Sequence, residues 1–339
     1  MSDVVKSGLV SIVVASYNHA EYLEQRMDSL INQTYQNIEI LVIDDCSTDN
    51  SVAVLRSYES HPKVRLIIRE KNGGWVAVSN QGVEISSGEF IIFANCDDAC
   101  EPQMIERLVE AMRTNPTAGI SYCRSLMIDE DGKLLGDDFS GREESFKIRC
   151  SQDALLKKRE MSHFLMHSCV IPNLSAALFR KECYMASGGL TSVYQVCSDW
   201  DLFFKVVEYY DVAYVAQPLN EFRQHKTTIR SRTKERIFYE EIIGLLLRKI
   251  TSLDLTFEER IKYRFHVMLI WATHILRPPF GGIFSFFYLL KVVLHFDKIS
   301  IVNLPVAVVI RFFIIMVKLP RKILNIVSKS DYFRSQKKP

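Results

Sequence analysis

VSIVVASYNHAEYLEQRMDSLINQTYQNIEILVIDD, residues 10–45, places two apolar runs on either side of an amphipathic segment. The runs at 9–16 and 38–45 are rich in β-branched residues, which is typical of strands covered on both faces. The segment between them, 20–33, repeats apolar residues at helical spacing. The stretch therefore predicts a strand, a helix and a second strand in one βαβ unit.

The same alternation continues to about residue 113. Further strands are predicted at 64–69 and 89–95, and further helices at 48–60, 75–86 and 101–113. Four strand–helix units predict an α/β fold with a doubly wound, Rossmann-like parallel sheet. The later pattern is mixed, with a hairpin turn at Asp131-Gly132, strands at 174–180, 211–216 and 219–225, and a helix at 198–210.

Polar residues follow the predicted strands, at the edge where doubly wound sheets bind their ligands. Asp44-Asp45 ends the second strand, and Asp97-Asp98 follows the fourth. Adjacent aspartates after an apolar strand cost free energy unless a positive group lies nearby, and their oxygens suit Mg²⁺ or Mn²⁺. Helix caps or turns are the alternative for both pairs. A glycine-rich dinucleotide fingerprint and a P-loop are absent, which disfavours dehydrogenases and P-loop NTPases.

The formal charge of +2 conceals two oppositely charged parts. Residues 1–230 contain 23 Lys and Arg against 32 Asp and Glu, whereas residues 231–339 contain 19 against 8. The overall composition excludes a collagen, a coiled-coil rod and a disordered chain. The eight cysteines lack zinc-ligand spacing, and the acid-containing start MSDVVKSGLV predicts no signal peptide.

The run VSIVVASYNHAEYLEQRMDSLINQTYQNIEILVIDDCSTDNS (10–51) resembles the nucleotide-binding opening of inverting glycosyltransferases of family 2, which have the GT-A fold. The resemblance covers roughly residues 9–230 with motifs in the family's order. The further motifs are Asn72-Gly73-Gly74, FANCDD (93–98), GGL (188–190), Ser198-Asp199-Trp200-Asp201-Leu202 and Phe222-Arg223-Gln224-His225. The resemblance implies a Rossmann-like GT-A catalytic domain with a mixed central sheet at 1–230, divided into a nucleotide half (9–120) and an acceptor half (121–230).

The resemblance also implies roles for single residues. Asp45 would hydrogen-bond the nucleobase, usually uracil, and Asp97 with Asp98 would bind the metal and the ribose-diphosphate, Asp98 being the direct metal ligand. His225 would lie near the metal and diphosphate. The remaining nucleotide-binding positions implied are Ala15, Tyr17, Asn18, Asn72 and Gly73.

On the acceptor side, the resemblance implies that Asp199 is the general base and that Trp200 lines the acceptor pocket. Asn173 and Ser175 are predicted to face the same pocket. Two departures from the family are Asn95, where many members have Asp, and Ser198, where Glu is common. The first predicts weaker metal binding and the second altered acceptor contacts. A helix cap is the alternative role for Asp199, and a strand-packing position is the alternative for His225.

Residues 231–339 predict a basic, amphipathic to apolar helical region. The segment 281–296 is too short to span a bilayer, and 299–317 contains Pro305 and Arg311. Helices lying in the membrane interface, with Lys and Arg at the headgroups of an anionic leaflet, are therefore expected. A helical subdomain packed on the core and a spanning helix are the alternatives, whereas the apolar neighbours of the basic residues disfavour nucleic acid.

Together these patterns predict a metal-dependent inverting glycosyltransferase, peripheral and monotopic on the cytoplasmic face of a membrane. It would need Mg²⁺ or Mn²⁺ and would transfer a hexosyl or N-acetylhexosaminyl group from a nucleotide-sugar, expected to be a UDP-sugar, to a glycan or lipid-linked acceptor. The alternative is a non-catalytic, nucleotide-sugar-binding scaffold subunit of a glycan assembly complex. A processive synthase is disfavoured because no Q-x-x-R-W motif is present.

Overall fold

The structure is a computed structural model that describes residues 5–226, 228–276 and 282–310. Two compact units make up the chain, Met1–Arg232 and Thr233–Pro339. The first unit holds every residue for which a catalytic or ligand-binding role is predicted. The second unit is helical throughout its described regular elements.

The first unit is built on one mixed sheet, which has ten strands among the described residues. In chain order these are β1 (Lys6–Ser16), β2 (Ile38–Asp44), β3 (Val64–Ile68), β4 (Gly88–Asn95), β5 (Ala99–Cys100), β6 (Ala118–Ile128), β7 (Leu134–Asp137), β8 (Ala154–Leu156), β9 (Ala177–Arg180) and β10 (Asp211–Arg223). The spatial order is β3-β2-β1-β4-β9-β6-β10-β5, with β7 beside β6 and β8 beside β10. β1 to β4 are parallel, whereas β9 is antiparallel to both neighbours. The predicted α/β class with a mixed central sheet is confirmed.

Helices flank this sheet and bury its apolar residues. They are α1 (Ala20–Ile31), α2 (Ser51–Arg56), α3 (Trp75–Ile85), α4 (Met104–Thr114), α5 (Glu144–Arg149), α6 (Lys158–His167), α7 (Lys181–Ala186), α8 (Ser198–Val207) and α9 (Ile229–Arg232). The core includes Val10 and Ile12 of β1, Leu23 and Met27 of α1, and Leu108 of α4, all at 0% exposure. Removing so much apolar surface from water is the main favourable term that fixes the positions of the strand ends.

Several predicted boundaries were wrong, and the strand expected at 174–180 begins only at Ala177, after a 3₁₀ turn at Leu174–Ala176. The helix expected at 48–60 is limited to Ser51–Arg56, and the helix expected at 101–113 begins only at Met104. The later start follows because Ala99 and Cys100 pair with β10 before the chain can turn into a helix. The strands expected at 211–216 and 219–225 form the single strand β10, whose register shifts around Pro218 because proline donates no hydrogen bond.

The sheet brings the predicted polar loops to one edge. Ser16 pairs with Asp44 and Ala15 pairs with Asn95, so β1, β2 and β4 end side by side. β10 reaches the same edge, where the backbone N–H of Arg223 donates to Asp98 at 3.0 Å. The loops after four different strands therefore meet.

The second unit contains α10 (Glu235–Ser252), α11 (Phe257–Ile275), α12 (Gly282–Phe296) and a 3₁₀ helix at Lys298–Asn303, followed by helical residues 304–310. A capping box of Thr256 and Glu259 starts α11. Across residues 5–226, 228–276 and 282–310, every helix falls short of the length and apolarity that crossing a membrane requires. The predicted segment 299–317 is described only to residue 310, and the basic residues from Arg311 onward lie outside the described residues.

Candidate active site

The loops after β1 and β2 are joined through one asparagine side chain. Asn18 adopts a left-handed backbone conformation, φ 54°, which asparagine tolerates better than most residues. Its side-chain oxygen accepts hydrogen bonds from the backbone N–H of Thr48 at 2.8 Å and of Asp49 at 3.4 Å. The backbone N–H of Asn18 donates to Ser47 Oγ at 3.0 Å. Of the other residues predicted here, Tyr17 is exposed and Ala15 is half-buried at the end of β1.

Asp45 organises a second pair of loops. Its carboxylate accepts hydrogen bonds from the backbone N–H groups of Gly73 at 3.0 Å and Gly74 at 2.8 Å, and it pairs with Arg69 at 2.6 Å. Asn72 donates to the Asp45 carbonyl oxygen at 3.2 Å. Gly74 has φ +85°, a conformation that favours glycine. The predicted nucleotide-binding residues Asp45, Asn72 and Gly73 are therefore in direct contact.

Asp98 is the most densely hydrogen-bonded carboxylate of the edge. One oxygen accepts hydrogen bonds from Ser175 Oγ at 2.6 Å, Asn173 Nδ2 at 3.1 Å and Asn95 Nδ2 at 3.2 Å. The other accepts from the Arg223 backbone N–H at 3.0 Å. The side chain is 1% exposed, so the four donors replace water.

These contacts involve three residues whose predicted roles in metal or acceptor binding stay predictions. Ser175 and Asn173, which were expected to face an acceptor, are buried and hold Asp98 in place. Asp98 was expected to be the direct metal ligand, but its oxygens are already engaged by protein donors. Of the two aspartates, Asp97 is the one whose carboxylate contacts His225, a potential metal ligand.

The two aspartates differ in their tendency to ionise. Burial raises the pKa of Asp98 to about 7, and the neighbouring Asp97 charge adds to this effect, which Arg26 and Ser175 oppose. Burial also raises the pKa of Asp97, but the hydrogen bond with His225 and the electrostatic influence of the two nearby histidines outweigh it, so the net pKa is lowered. Asp97 therefore ionises more readily than Asp98.

Asp97 lies in a cluster with two histidines. Its Oδ2 is 2.9 Å from His225 Nε2. One ring nitrogen of His19, one of His225 and a carboxylate oxygen of Asp97 all lie within 4.8 Å of one another. The His225 ring also packs 5.1 Å from Tyr22 and 5.6 Å from His19, measured between ring centroids. This arrangement has the residue types and spacing of a divalent metal site.

The predicted acceptor-side motif lies in the first turn of α8. Asp199 is half-buried, and its Oδ1 accepts a hydrogen bond from the Trp200 backbone N–H at 2.7 Å. Trp200 itself is 7% exposed, donates its indole N–H to the Leu165 carbonyl at 3.1 Å and stacks on Phe204. The polar atom of Trp200 is thus satisfied inside the core, and its role in lining an acceptor pocket stays a prediction.

A cleft of about 590 Å³ lies beside the Asp45 loop. One wall begins at Gly73 and Gly74, which donate to Asp45, and continues through the first turns of α3 to Asn80. The other wall is the segment 190–195 that leads into α8. Its size is typical of a small-molecule site.

Three residues of this region had no predicted role. Arg223 donates to the Asp97 carbonyl oxygen at 2.8 Å and lies 4.8 Å above the Tyr22 ring, so it fixes the Asp97-Asp98 turn. Arg26 is fully buried, and within the described part of the chain its guanidinium nitrogens have no hydrogen-bond partner. His19 follows Asn18 directly. The FRQH motif (222–225) contains Arg223, and the SYNH stretch (16–19) contains His19. Only the fold shows what these side chains contact.

The chain matches known proteins over most of this unit. The model of the family described as Glycosyl transferase family 2 matches residues 11–184. An uncharacterised glycosyltransferase of Rickettsia typhi (strain ATCC VR-144 / Wilmington) is 28% identical over 258 residues, 74% of each chain. A chondroitin synthase of Pasteurella multocida (strain Pm70) is 27% identical over 208 residues, which are 61% of this chain and 20% of that protein. The chain thus spans about a fifth of the length of that synthase.

A solved structure shares the fold. The crystal structure of S. aureus TarS 1-349 in complex with UDP-GlcNAc superposes with a TM-score of 0.59 and 16% identity. The match covers 78% of this chain and 72% of that one. At this identity the likeness concerns the fold alone.

Proposed function

The chain belongs to glycosyl transferase family 2 and has its GT-A fold, and on this premise we propose that it is a metal-dependent inverting glycosyltransferase. It transfers a hexosyl or N-acetylhexosaminyl group from a UDP-sugar to a hydroxyl of a glycan or lipid-linked acceptor. The observation that carries the proposal is the contact of Asp97 with His225, at the same edge of the sheet where β2 ends before Asp45. That edge is where α/β sheets bind nucleotides.

The donor nucleotide lies along the loops that Asn18 and Asp45 organise. Two backbone N–H groups and Arg69 hold the Asp45 carboxylate in one orientation, as recognition of a planar base requires. Asn72 and Gly73 extend the same surface toward the cleft. The complex of TarS with UDP-GlcNAc supports the choice of uridine. The cleft beside Gly73 and Gly74 accommodates the transferred sugar.

Asp97 and His225 would hold the divalent cation, Mg²⁺ or Mn²⁺. An ionised carboxylate and an imidazole nitrogen 2.9 Å apart are donors that fit such an ion. When bound, the cation neutralises negative charge that develops on the leaving diphosphate. Asp98 supports this site from beneath, because it fixes the backbone of the loop through Arg223, Ser175 and Asn173.

Asp199 takes the proton of the acceptor hydroxyl. Inverting transfer is a direct displacement, so one carboxylate base is enough and no covalent intermediate forms. Asp199 lies in the first turn of α8, so the helix fixes where its carboxylate starts from the backbone. The hydrogen bond from the Trp200 N–H fixes the direction of one oxygen.

The second unit holds the enzyme on the cytoplasmic face of a membrane as a monotopic, peripheral protein. Ile299, Val302, Val306 and Val309 recur at helical spacing and are 61%, 73%, 55% and 55% exposed. We call these four residues the apolar stripe. The apolar stripe contacts an anionic lipid surface, because residues 231–339 carry 19 Lys and Arg against 8 Asp and Glu.

Nucleotide release tests the proposed reaction. The full-length protein is incubated with UDP-sugars and a panel of sugar and lipid-linked acceptors, with Mn²⁺ or with EDTA, and released UDP is measured. The proposal predicts UDP release that requires both the metal and an acceptor. A non-catalytic scaffold subunit would bind the donor without releasing UDP, and that result would contradict the proposed activity.

A further inference from the structure

His19 is placed beside the proposed metal site, and the orientation of its ring is fixed. Its Nδ1 lies 2.8 Å from the Tyr17 carbonyl oxygen. Since a carbonyl oxygen only accepts hydrogen bonds, Nδ1 carries the proton. In the neutral ring Nε2 then carries the lone pair. Metal-binding histidines are usually oriented in this way, by donating their other ring N–H to a carbonyl or carboxylate.

The Nε2 atom of His19 is buried without a partner. Among the described residues it has no hydrogen bond, although it is shielded from solvent. A buried polar atom without a partner costs free energy, so its presence needs a reason. The His19 ring lies 5.6 Å from the ring of His225, and its donor atom lies within 4.8 Å of those of Asp97 and His225.

The position of His19 does not depend on the cation. Its backbone N–H donates to Ser51 Oγ at 3.2 Å, and its neighbour Asn18 clamps the loop between β2 and α2. The ring is thus held by both its main chain and its Nδ1 atom. Such preorganisation lowers the entropic cost of binding a ligand.

We infer that His19 is a third protein ligand of the divalent cation, and that the resulting set of two imidazoles and one carboxylate makes the site prefer first-row transition ions to Mg²⁺. The inference rests on the proposed function, because it concerns the same cation. Mg²⁺ prefers oxygen ligands, whereas imidazole nitrogen binds transition ions better. His19 also joins the metal to the nucleotide loop, since it is the residue after Asn18.

Electron paramagnetic resonance of the full-length protein with Mn²⁺ alone tests this inference. Titration gives the Mn²⁺ affinity, and pulsed spectra count the coordinated nitrogens. His19→Phe keeps the ring that packs near Tyr22 and His225 but removes the donor atom. We expect Mn²⁺ affinity to fall about tenfold or more. We expect two nitrogen couplings in the wild type and one in the variant, and Mg²⁺ to compete better in the variant.

Two controls separate the possible outcomes. His61→Phe removes a histidine outside these loops and should leave the Mn²⁺ affinity and the number of coordinated nitrogens unchanged. Asp97→Asn should weaken Mn²⁺ binding if the proposed site is correct. Loss of Mn²⁺ binding in Asp97→Asn, together with full affinity and an unchanged number of coordinated nitrogens in His19→Phe, overturns the third ligand but keeps the proposed function. Absence of Mn²⁺ binding in the wild type overturns both, and His19→Asn repeats the test if His19→Phe misfolds.

Discussion

Asp98 is the residue around which the strand ends are assembled. Donors from three separate parts of the chain converge on a carboxylate that is 1% exposed: Asn95 at the end of β4, Asn173 and Ser175 before β9, and the backbone of Arg223 in β10. A buried carboxylate is tolerated only when such donors replace water. The Asp97-Asp98 turn therefore owes its position to residues about 75 to 125 positions away.

Ser175→Ala tests the structural role of this serine. Its hydroxyl makes the shortest contact to Asp98, 2.6 Å, and it accepts from the Asn95 backbone N–H at 3.0 Å. The variant leaves both buried groups less satisfied, so we expect the free energy of unfolding to fall by about 1–3 kcal/mol in urea denaturation. Ser57→Ala is the control, because Ser57 is exposed and donates only to a helix carbonyl. Unchanged stability with a raised KM for acceptor would instead favour the acceptor role.

Asp199→Asn tests the assignment of the general base. The amide keeps the size of the side chain but cannot take a proton, so we expect kcat to fall about 10²–10⁴-fold. The Kd for the UDP-sugar should stay unchanged, because the donor binds through other loops. Glu208→Gln, an exposed change at the end of the same helix, should leave kcat unaltered. Full activity in Asp199→Asn would remove this residue from the mechanism.

The residues that the sequence predicted to meet are those that directly follow strands. Asp45 and Asp97 could be placed at one edge because parallel strands end together. Asp98, Ser175 and Trp200 could not, since their roles depend on which neighbours shield each side chain from water. Asp97 and Asp98 are adjacent in sequence, and only the packed structure gives Asp97 a histidine partner and Asp98 four protein donors.

At the scale of elements, α3 packs on β1 through Gly82, which has no side chain and so leaves room for that of Val13. A Cβ atom added to Gly82 would lie 2.2 Å from Val13 Cγ1. The close approach positions the start of α3, where Gly74 and Trp75 line the cleft. The βαβ units that the sequence predicts are thus brought to their final spacing by one glycine.

Gly82→Ala should reduce stability by overpacking this contact. Gly82 and Val13 are both buried, so β1 or α3 must shift, and we expect a loss of about 1–3 kcal/mol in the free energy of unfolding. Gly141→Ala is the matched control, because a Cβ there meets no atom within 4 Å. Equal stability of the two variants in urea denaturation would contradict this prediction, because it would show that α3 and β1 move apart at little cost in free energy.

The elements that the sequence predicted well are those with long, regular periodicity, such as β1, α1 and β2. The short strand β5 could not be foreseen, because Ala99 and Cys100 become a strand only by pairing with β10. The same pairing delays α4 to Met104. The hairpin turn at Asp131-Gly132 was predicted correctly, since Gly132 adopts φ +83° between β6 and β7.

For the whole molecule, the separation of charge along the chain has a physical consequence for membrane binding. Residues 1–230 carry a net negative charge and contain the carboxylates of the proposed metal site, whereas residues 231–339 carry a net positive charge. The proposed lipid attachment through the second unit would then combine two modest terms, apolar contact by the stripe and electrostatic attraction to an anionic leaflet.

Charged substitutions in the apolar stripe test that attachment. The double variant Val302→Asp, Val306→Asp should weaken cosedimentation with vesicles of phosphatidylglycerol and phosphatidylcholine by about tenfold or more, because carboxylates replace apolar contacts beside anionic lipid. Leu134→Asp and Leu135→Asp, which alter exposed residues of the first unit, should have no effect. Equal vesicle binding by all variants would contradict the interfacial role of the stripe.

A thermal-shift panel of UDP-, GDP- and dTDP-sugars tests the central claim most directly. The full-length protein and Asp97→Asn are melted with each nucleotide-sugar in Mn²⁺ and in EDTA. The proposed site predicts that a UDP-sugar raises the Tm of the wild type only with the metal, and that Asp97→Asn abolishes the shift. An equal shift in EDTA, or none with any nucleotide-sugar, would contradict a metal-dependent nucleotide-sugar site at this edge of the sheet.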